Sequence, residues 1–188
     1  KELINEPFMA KHLHIALQHT SKDMLKIMNR RNKVLSDLEL FEFLSQNGYA
    51  LGTDFIVGHP GETQELWNEA MKNLHNFPLT HIHAFTYSKR DGTPSASMKD
   101  IIKGDIAKDR YIELIEIIKQ KNYEFRQNIK NNKVKLEVLV EQEKNGKYLG
   151  FDQFFNQVEI SSNEDLVSDW LNLEDYKVEF NKNEARFK

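Results

Sequence analysis

Four histidines and an aspartate recur at alternating positions in three short segments, and their spacing is the first chemical signal in the chain. In HLHIALQ, residues 12 to 18, His12, His14, Ala16 and Gln18 fall on one side and Leu13, Ile15 and Leu17 on the other. HIHAFTY, residues 81 to 87, repeats the habit with His81, His83, Phe85 and Tyr87. Between them TDFIVGHPGET carries Asp54 inside an apolar run that opens into Gly58-His59-Pro60-Gly61-Glu62. Alternate strand residues project side by side, so imidazoles and a carboxylate arranged this way can converge on one ion. A lone inward histidine is more ordinarily a hydrogen-bonded core residue. A carboxylate in an apolar strand is rarely left unpaired, which makes Asp54 either the organiser of a site or a structural hydrogen-bond partner. The glycines allow a tight turn, or the close approach of a ligand to free backbone N–H groups.

The elements that would position these residues follow from periodicity. Strands are predicted over 12–18, 49–57 and 81–87. After Ser21 a helix is predicted over KDMLKIMNRR; a second runs from about Ser36 to Gln46 and stops at Asn47-Gly48. A third carries Leu66, Ala70, Met71 and Leu74 and stops before Pro78, and a long fourth from about Asp105 is expected to bury Ile106, Ile112, Ile115, Ile118 and Phe125. Strand and helix alternate, which calls for parallel strands with right-handed crossovers. Past Lys133 the texture changes to short alternating strands with an Asn145-Gly146 turn, and a small all-β barrel is expected there. The expected division is therefore residues 1–132, an α/β part, and 133–188, the small barrel. Three strand–helix repeats are too few to close a (β/α) barrel, so the sheet is half of a larger barrel or a small open sandwich. In either case active sites of such folds gather at the carboxyl ends of the strands, where Gln18, Gly58 and Tyr87 fall.

Composition narrows the chemistry. The 188 residues carry a formal net charge of −3 and no cysteine, which excludes disulfides, thiolate metal sites and a cysteine nucleophile within the chain. No window approaches the roughly 18 uninterrupted apolar residues of a membrane span, and KELINEPFMAK lacks the apolar core of a signal peptide, so the expectation is a cytoplasmic protein with no membrane partner. The chain opens on Lys1 in structured-looking sequence, and a longer parent protein is expected.

Taken together, HLHIALQHTSKDMLKIMNRR, TDFIVGHPGET and HIHAFTYSKRDGTPSASM resemble, in order and spacing, the fourth, fifth and sixth strand segments of the radical S-adenosylmethionine methylthiotransferases. LEVLVE and GKYLGF in the tail resemble the small TRAM barrel of those enzymes, so the likeness covers essentially the whole chain. It implies the second half of a radical (β/α) barrel followed by a TRAM-like domain. HLHIALQ and the YSKRDGTP loop are most similar to the subgroup that thiomethylates threonylcarbamoyladenosine beside the tRNA anticodon. Sister groups act on isopentenyladenosine or on an aspartate of a ribosomal protein.

The resemblance implies S-adenosylmethionine as cofactor, with Gly58 near the adenine, Glu62 close by, and Gln18 and Ser21 toward the ribose or methionine part. Arg30 would face the methionine carboxylate, for which a guanidinium fork is suited. Phe85 and Tyr87 would offer surface to the adenine, Arg90 would face cofactor or substrate, and Asp54 would hold a polar bond inside the lumen. The family uses two 4Fe-4S clusters, and thiolates bind such clusters. This chain has none, so the resemblance implies that the ligands lie in an amino-terminal part of the same enzyme, that these residues alone are inactive, and that the exposed sheet edge favours self-association. The tail would grip the tRNA anticodon arm, although residues 133–188 hold eight basic and twelve acidic side chains, a net −4. Binding would then use a local patch, Lys135, Lys144 and Lys147, or aromatics such as Tyr148 and Phe151, unless Tyr148, Phe151 and Phe154 fill the barrel. Two other classes stay open: a barrel metallohydrolase using His12, His14, Asp54, His81 and His83, and a non-catalytic RNA- or protein-binding module. Histidine pairs alone are a weak signal, and no metal ligand is assigned on them.

Overall fold

The computed structural model describes Ile4, Glu6 and residues 9–187. Most of the leading stretch read above for a signal peptide lies outside the described residues. The chain divides into two compact units, residues 14–118 and a second that joins the described residues up to 13 with residues 119 onward.

The first unit is built on a three-stranded sheet in the order β1 (His12–His14), β2 (Ala50–Val57), β3 (His81–Thr86). β2 and β3 run parallel, with Asp54 opposite His83. The predicted first strand is shorter than its alternation suggests. Thr53 Oγ1 accepts the Leu17 N–H at 2.9 Å and donates to the Ile15 carbonyl at 2.7 Å, so a side chain replaces the ladder there. Pairing resumes at Gln18, whose φ is 67°, through a single bridge to Phe55. A hydroxyl competing with the backbone is invisible to an alternation pattern.

Helices α1 (Lys22–Ile27), α2 (Val34–Gln46) and α3 (Gln64–Asn76) cover the apolar side of the sheet's segments. α1 ends well before Arg31, where the sequence pattern carried it, because Asn29 turns into the left-handed region at φ 55°. Ser21 and Thr63 cap α1 and α3 by accepting N–H bonds from Met24 and Leu66. Phe41, Phe55, Trp67, Leu74 and Phe77 are essentially inaccessible, and each such side chain contributes about 1.5–3 kcal/mol through burial. Phe55 meets Trp67 edge-on, with centroids 6.3 Å apart.

The long helix α4 (Gly104–Asn131) buries Ile118 as expected, but the rest of its inner stripe differs. Ala107, Arg110, Leu114 and Ile118 face inward at spacings of three and four, whereas Ile106 and Ile112 are exposed. An arginine on the inner stripe displaced the periodicity, because it has a buried carboxylate to meet.

The second unit is a six-stranded mixed sheet in the order β7 (Trp170–Leu173), β4 (Leu136–Lys144), β5 (Lys147–Asp152), β6 (Gln157–Ser161), β9 (Asn183–Arg186), β8 (Tyr176–Val178). Asn145 and Gly146, at φ 56° and 75°, make the two-residue turn of the β4–β5 hairpin. A bulge between Val140 and Gln142 re-aims β4, and β6 and β9 are parallel. At Gly150 a Cβ would lie 2.2 Å from the Leu139 carbonyl oxygen, so only glycine lets the strands approach there. Phe154 is buried against Phe125, while Tyr148 and Phe151 are half-buried. Phe155 is about half exposed and stacks on Phe151 at 4.8 Å. Among the described residues no helix is long and apolar enough to cross a membrane.

Candidate functional site

At the carboxyl end of β2 the chain turns through Gly58, at φ 75°, into the Pro60-Gly61 turn and α3. The turn is held from inside by Glu62, which is fully buried. Its carboxylate accepts the Gly58 N–H at 2.9 Å and the Arg110 guanidinium at 2.7 Å, and it meets His19 Nε2 at 3.2 Å. His19 Nδ1 accepts the Ser21 N–H at 3.0 Å, so its proton resides on Nε2 and is donated to Glu62. One carboxylate thus joins the segment after β1, the end of β2 and the side of α4. Burial of such a group is tolerated because a cation and two further donors satisfy it.

This network uses the turn's N–H groups internally. Gly58 donates to Glu62, Gly61 to the Asp100 carbonyl, and Glu62 to the His59 carbonyl. Gly58 is also required for packing, since a Cβ there would lie 2.8 Å from Ala107 Cβ. His59 is buried beside the turn, donating from Nδ1 to the Pro60 carbonyl at 2.8 Å and accepting the Ser95 hydroxyl at Nε2 at 2.9 Å. Burial pushes its pKa below the usual imidazole value, so it is neutral at pH 7.

Beside the turn lies a cleft of about 650 Å³, walled by Gly58, Phe85, Tyr87, Ile101, Ile102 and Tyr111. Three of the residues singled out from the sequence, Gly58, Phe85 and Tyr87, meet there. Phe85 is 53% exposed. The Tyr87 hydroxyl is buried and has no hydrogen-bond partner among the described residues, a costly condition unless something in the cleft meets it. The other six residues are not among those that line this cleft. Gln18 accepts from Arg30 at 3.2 Å. Ser21 is buried; besides capping α1 it donates to Glu69 at 2.8 Å. Glu62 is within the network just described, and Arg90 stands in an exposed turn that Thr93 closes onto the Arg90 carbonyl. Asp54 lies deeper along the sheet, bonded to His14 Nε2 at 3.0 Å with His83 Nδ1 3.8 Å away.

His12 and His81 do not join that group. His12 stacks on Phe155 at 5.1 Å, and His81 Nδ1 pairs with the Thr80 hydroxyl at 2.8 Å. Sequence reasoning missed Arg110, Ile101, Ile102 and Tyr111. The only available signal was a basic residue at the inner spacing of α4. Of the basic residues considered in the tail, Lys135 pairs with Glu174 and Lys147 donates to Ser161, while Lys144 is exposed.

No protein-family model matches the chain. Among curated proteins it is 45% identical over 186 residues, 99% of its length, to a protein of Helicobacter pylori strain J99 provisionally described as a methylthiotransferase. It is 37% identical over 80% of its length to the ribosomal protein uS12 methylthiotransferase RimO of Caldanaerobacter subterraneus, and 29% identical over 94% to the threonylcarbamoyladenosine tRNA methylthiotransferase MtaB of Bacillus subtilis. The chain spans 44%, 34% and 40% of these relatives. In fold it is similar to coproporphyrinogen III oxidase (HemN) of Escherichia coli, a radical SAM enzyme. The TM-score is 0.52 at 16% identity, covering 74% of this chain and 38% of that one. A parallel sheet with its cleft at the strand ends, a radical SAM fold neighbour and near-complete alignment agree on one conclusion: the chain belongs to the methylthiotransferase family.

Proposed function

We propose that this chain forms part of the S-adenosylmethionine-binding side of a radical methylthiotransferase that modifies threonylcarbamoyladenosine next to the tRNA anticodon. The observation that carries the class is the 45% identity along 99% of the chain. For the substrate, alignment with the threonylcarbamoyladenosine enzyme extends over 94% of the chain, against 63% for a tRNA dimethylallyladenosine relative from Acinetobacter baumannii. A second reading, action on ribosomal protein uS12, is favoured by the higher 37% identity to that relative over 80% of the chain.

The cleft residues fit the cofactor. Phe85 and Tyr87 offer an aromatic wall for an adenine, and the unpartnered Tyr87 hydroxyl is a hydrogen-bonding group for it. Gln18 and Arg30, already hydrogen-bonded to each other, suit the methionine carboxylate, and Arg90 suits the rim. Glu62 and Ser21 act one step back: Glu62 fixes Gly58 and His19, and Ser21 fixes the tautomer of His19. When bound, S-adenosylmethionine supplies the methyl group and, reduced at an iron–sulfur cluster, the means of activating the substrate. Clusters need thiolates and this chain has no cysteine, so the clusters are held by cysteines outside these residues and the chain alone is inactive. Residues 133–188 are then a TRAM-like module for the anticodon arm.

The test is deletion of the encoding gene in its host, with mass spectrometry of tRNA nucleosides and of uS12. Selective loss of the methylthio group from threonylcarbamoyladenosine supports the proposal. Loss from uS12 or from isopentenyladenosine moves the substrate, and no loss at all overturns the reading.

A further inference from the structure

We infer that His14, Asp54 and His83 form a binding site for a borderline divalent transition metal of the zinc type, with an open coordination position. Nothing in the methylthiotransferase reading assigns a metal to these residues, and the inference stands independently of it.

Each of the three adjacent strands supplies one ligand. Asp54 is directly opposite His83 in the β2–β3 register, and His14, at the end of β1, reaches Asp54 from the other side. The ligand atoms of the three residues all lie within 4.8 Å of one another. His14 Nε2 stands 3.0 Å and His83 Nδ1 3.8 Å from the same Asp54 oxygen, Oδ1. Donors around a tetrahedral zinc, each about 2.0–2.2 Å from the ion, stand roughly 3–3.5 Å apart, so modest side-chain rotation suffices.

The donor set selects the ion. Two imidazoles and one carboxylate suit zinc, iron(II), cobalt or nickel and are too nitrogen-rich for magnesium or calcium. Three protein ligands leave at least one position for water or another ligand. Access is open: the His83 side chain is 69% exposed, and those of His14 and Asp54 are exposed to about a third. His83 has no hydrogen-bond partner among the described residues, so its ring nitrogens are available without breaking a bond. The competing account is a plain His14–Asp54 hydrogen bond with His83 a bystander, and the two accounts differ in what His83 contributes.

The experiment is calorimetric titration of zinc chloride into the metal-free chain, repeated with cobalt(II) while recording visible absorption. The expected result is one zinc per chain with micromolar affinity, and cobalt d–d bands that zinc displaces. His83→Ala should weaken zinc binding by at least about tenfold, the order of loss seen for perturbed metal shells. His14→Ala and Asp54→Asn should do the same. If His14→Ala fails to fold, His83→Ala decides, because an exposed side chain can be removed without disturbing the core. Absence of saturable binding, or binding unchanged in His83→Ala, overturns the site.

Discussion

Arg110 and Arg126 lie on the same helix, one in each unit, and both are buried, yet they are held by different means. Arg110 meets a buried carboxylate, bonding Glu62 at 2.7 Å and lying 5.5 Å from the Trp67 ring centroid. Arg126 is held chiefly by carbonyls: Glu179, Lys182 and Phe180 accept from it at 2.7, 2.8 and 2.6 Å, with Asn122 and Asn183 completing the cage. Burial lowers the pKa of Arg126, but a guanidinium remains charged throughout the working range. In the first unit the guanidinium neutralises the acid that fixes the Gly58 turn beside the cleft. In the second it cross-links residues 179–183 to α4 as a structural staple.

Removing each arginine should separate the two cases. Arg110→Met strands the Glu62 carboxylate, a loss of about 3–5 kcal/mol. Buried Trp67 reports the first unit, and its fluorescence during denaturant unfolding measures the change. Adding Glu62→Gln should recover part of that loss, since the uncompensated charge is gone. A deficit below about 1 kcal/mol in Arg110→Met would show the pair to be dispensable.

Arg126→Met leaves carbonyls unmet and weakens only a through-space charge interaction with Asp152, with no directly bonded carboxylate stranded, so a smaller cost of about 2–3 kcal/mol is expected, read through exposed Trp170 in the second unit. Arg126→Lys should restore less than half, because an ammonium cannot span acceptors arranged for a planar fork.

The third contrast is in pH. Burial pushes the Asp152 carboxyl in the second unit up to about 6, against the opposing effect of hydrogen bonds from Asn156 and Phe154 and of the Arg126 charge. The folded state therefore binds this proton more tightly than the unfolded chain does. Between about 6 and 3.8 stability gains as pH falls, and above about 6 the ionised group is a net penalty. Lowering the pH from 7 to 5 should stabilise the second unit by about 1 kcal/mol through this group, and Asp152→Asn should flatten that dependence. The smallest effect belongs to the first unit: Ser21→Ala should cost about 1 kcal/mol or less through loss of the α1 cap.

Much of the first unit was legible because its strands alternate cleanly and its turns carry Gly and Pro. The polar faces with His14, Asp54 and His83 could be read directly, since a period of two leaves little ambiguity. What escaped was every feature set by a partner distant in sequence. The 28 residues of α4 are rich in charge, and only the folded positions of Glu62 and of the 179–183 carbonyls make Arg110 and Arg126 interior residues. The shortened first strand depends likewise on Thr53, 36 residues beyond Leu17. Ser21 and Glu62 entered the candidate site through the family resemblance, but their network with His19 required the fold.

The most direct measurement is a titration of the isotopically labelled chain with S-adenosylhomocysteine, followed by amide NMR. The account predicts saturable shifts at Gly58, Phe85, Tyr87 and Tyr111, none across residues 136–186, and weakened binding in Tyr87→Phe. Shifts confined to the second unit, or no saturable shift at the cleft, would contradict it.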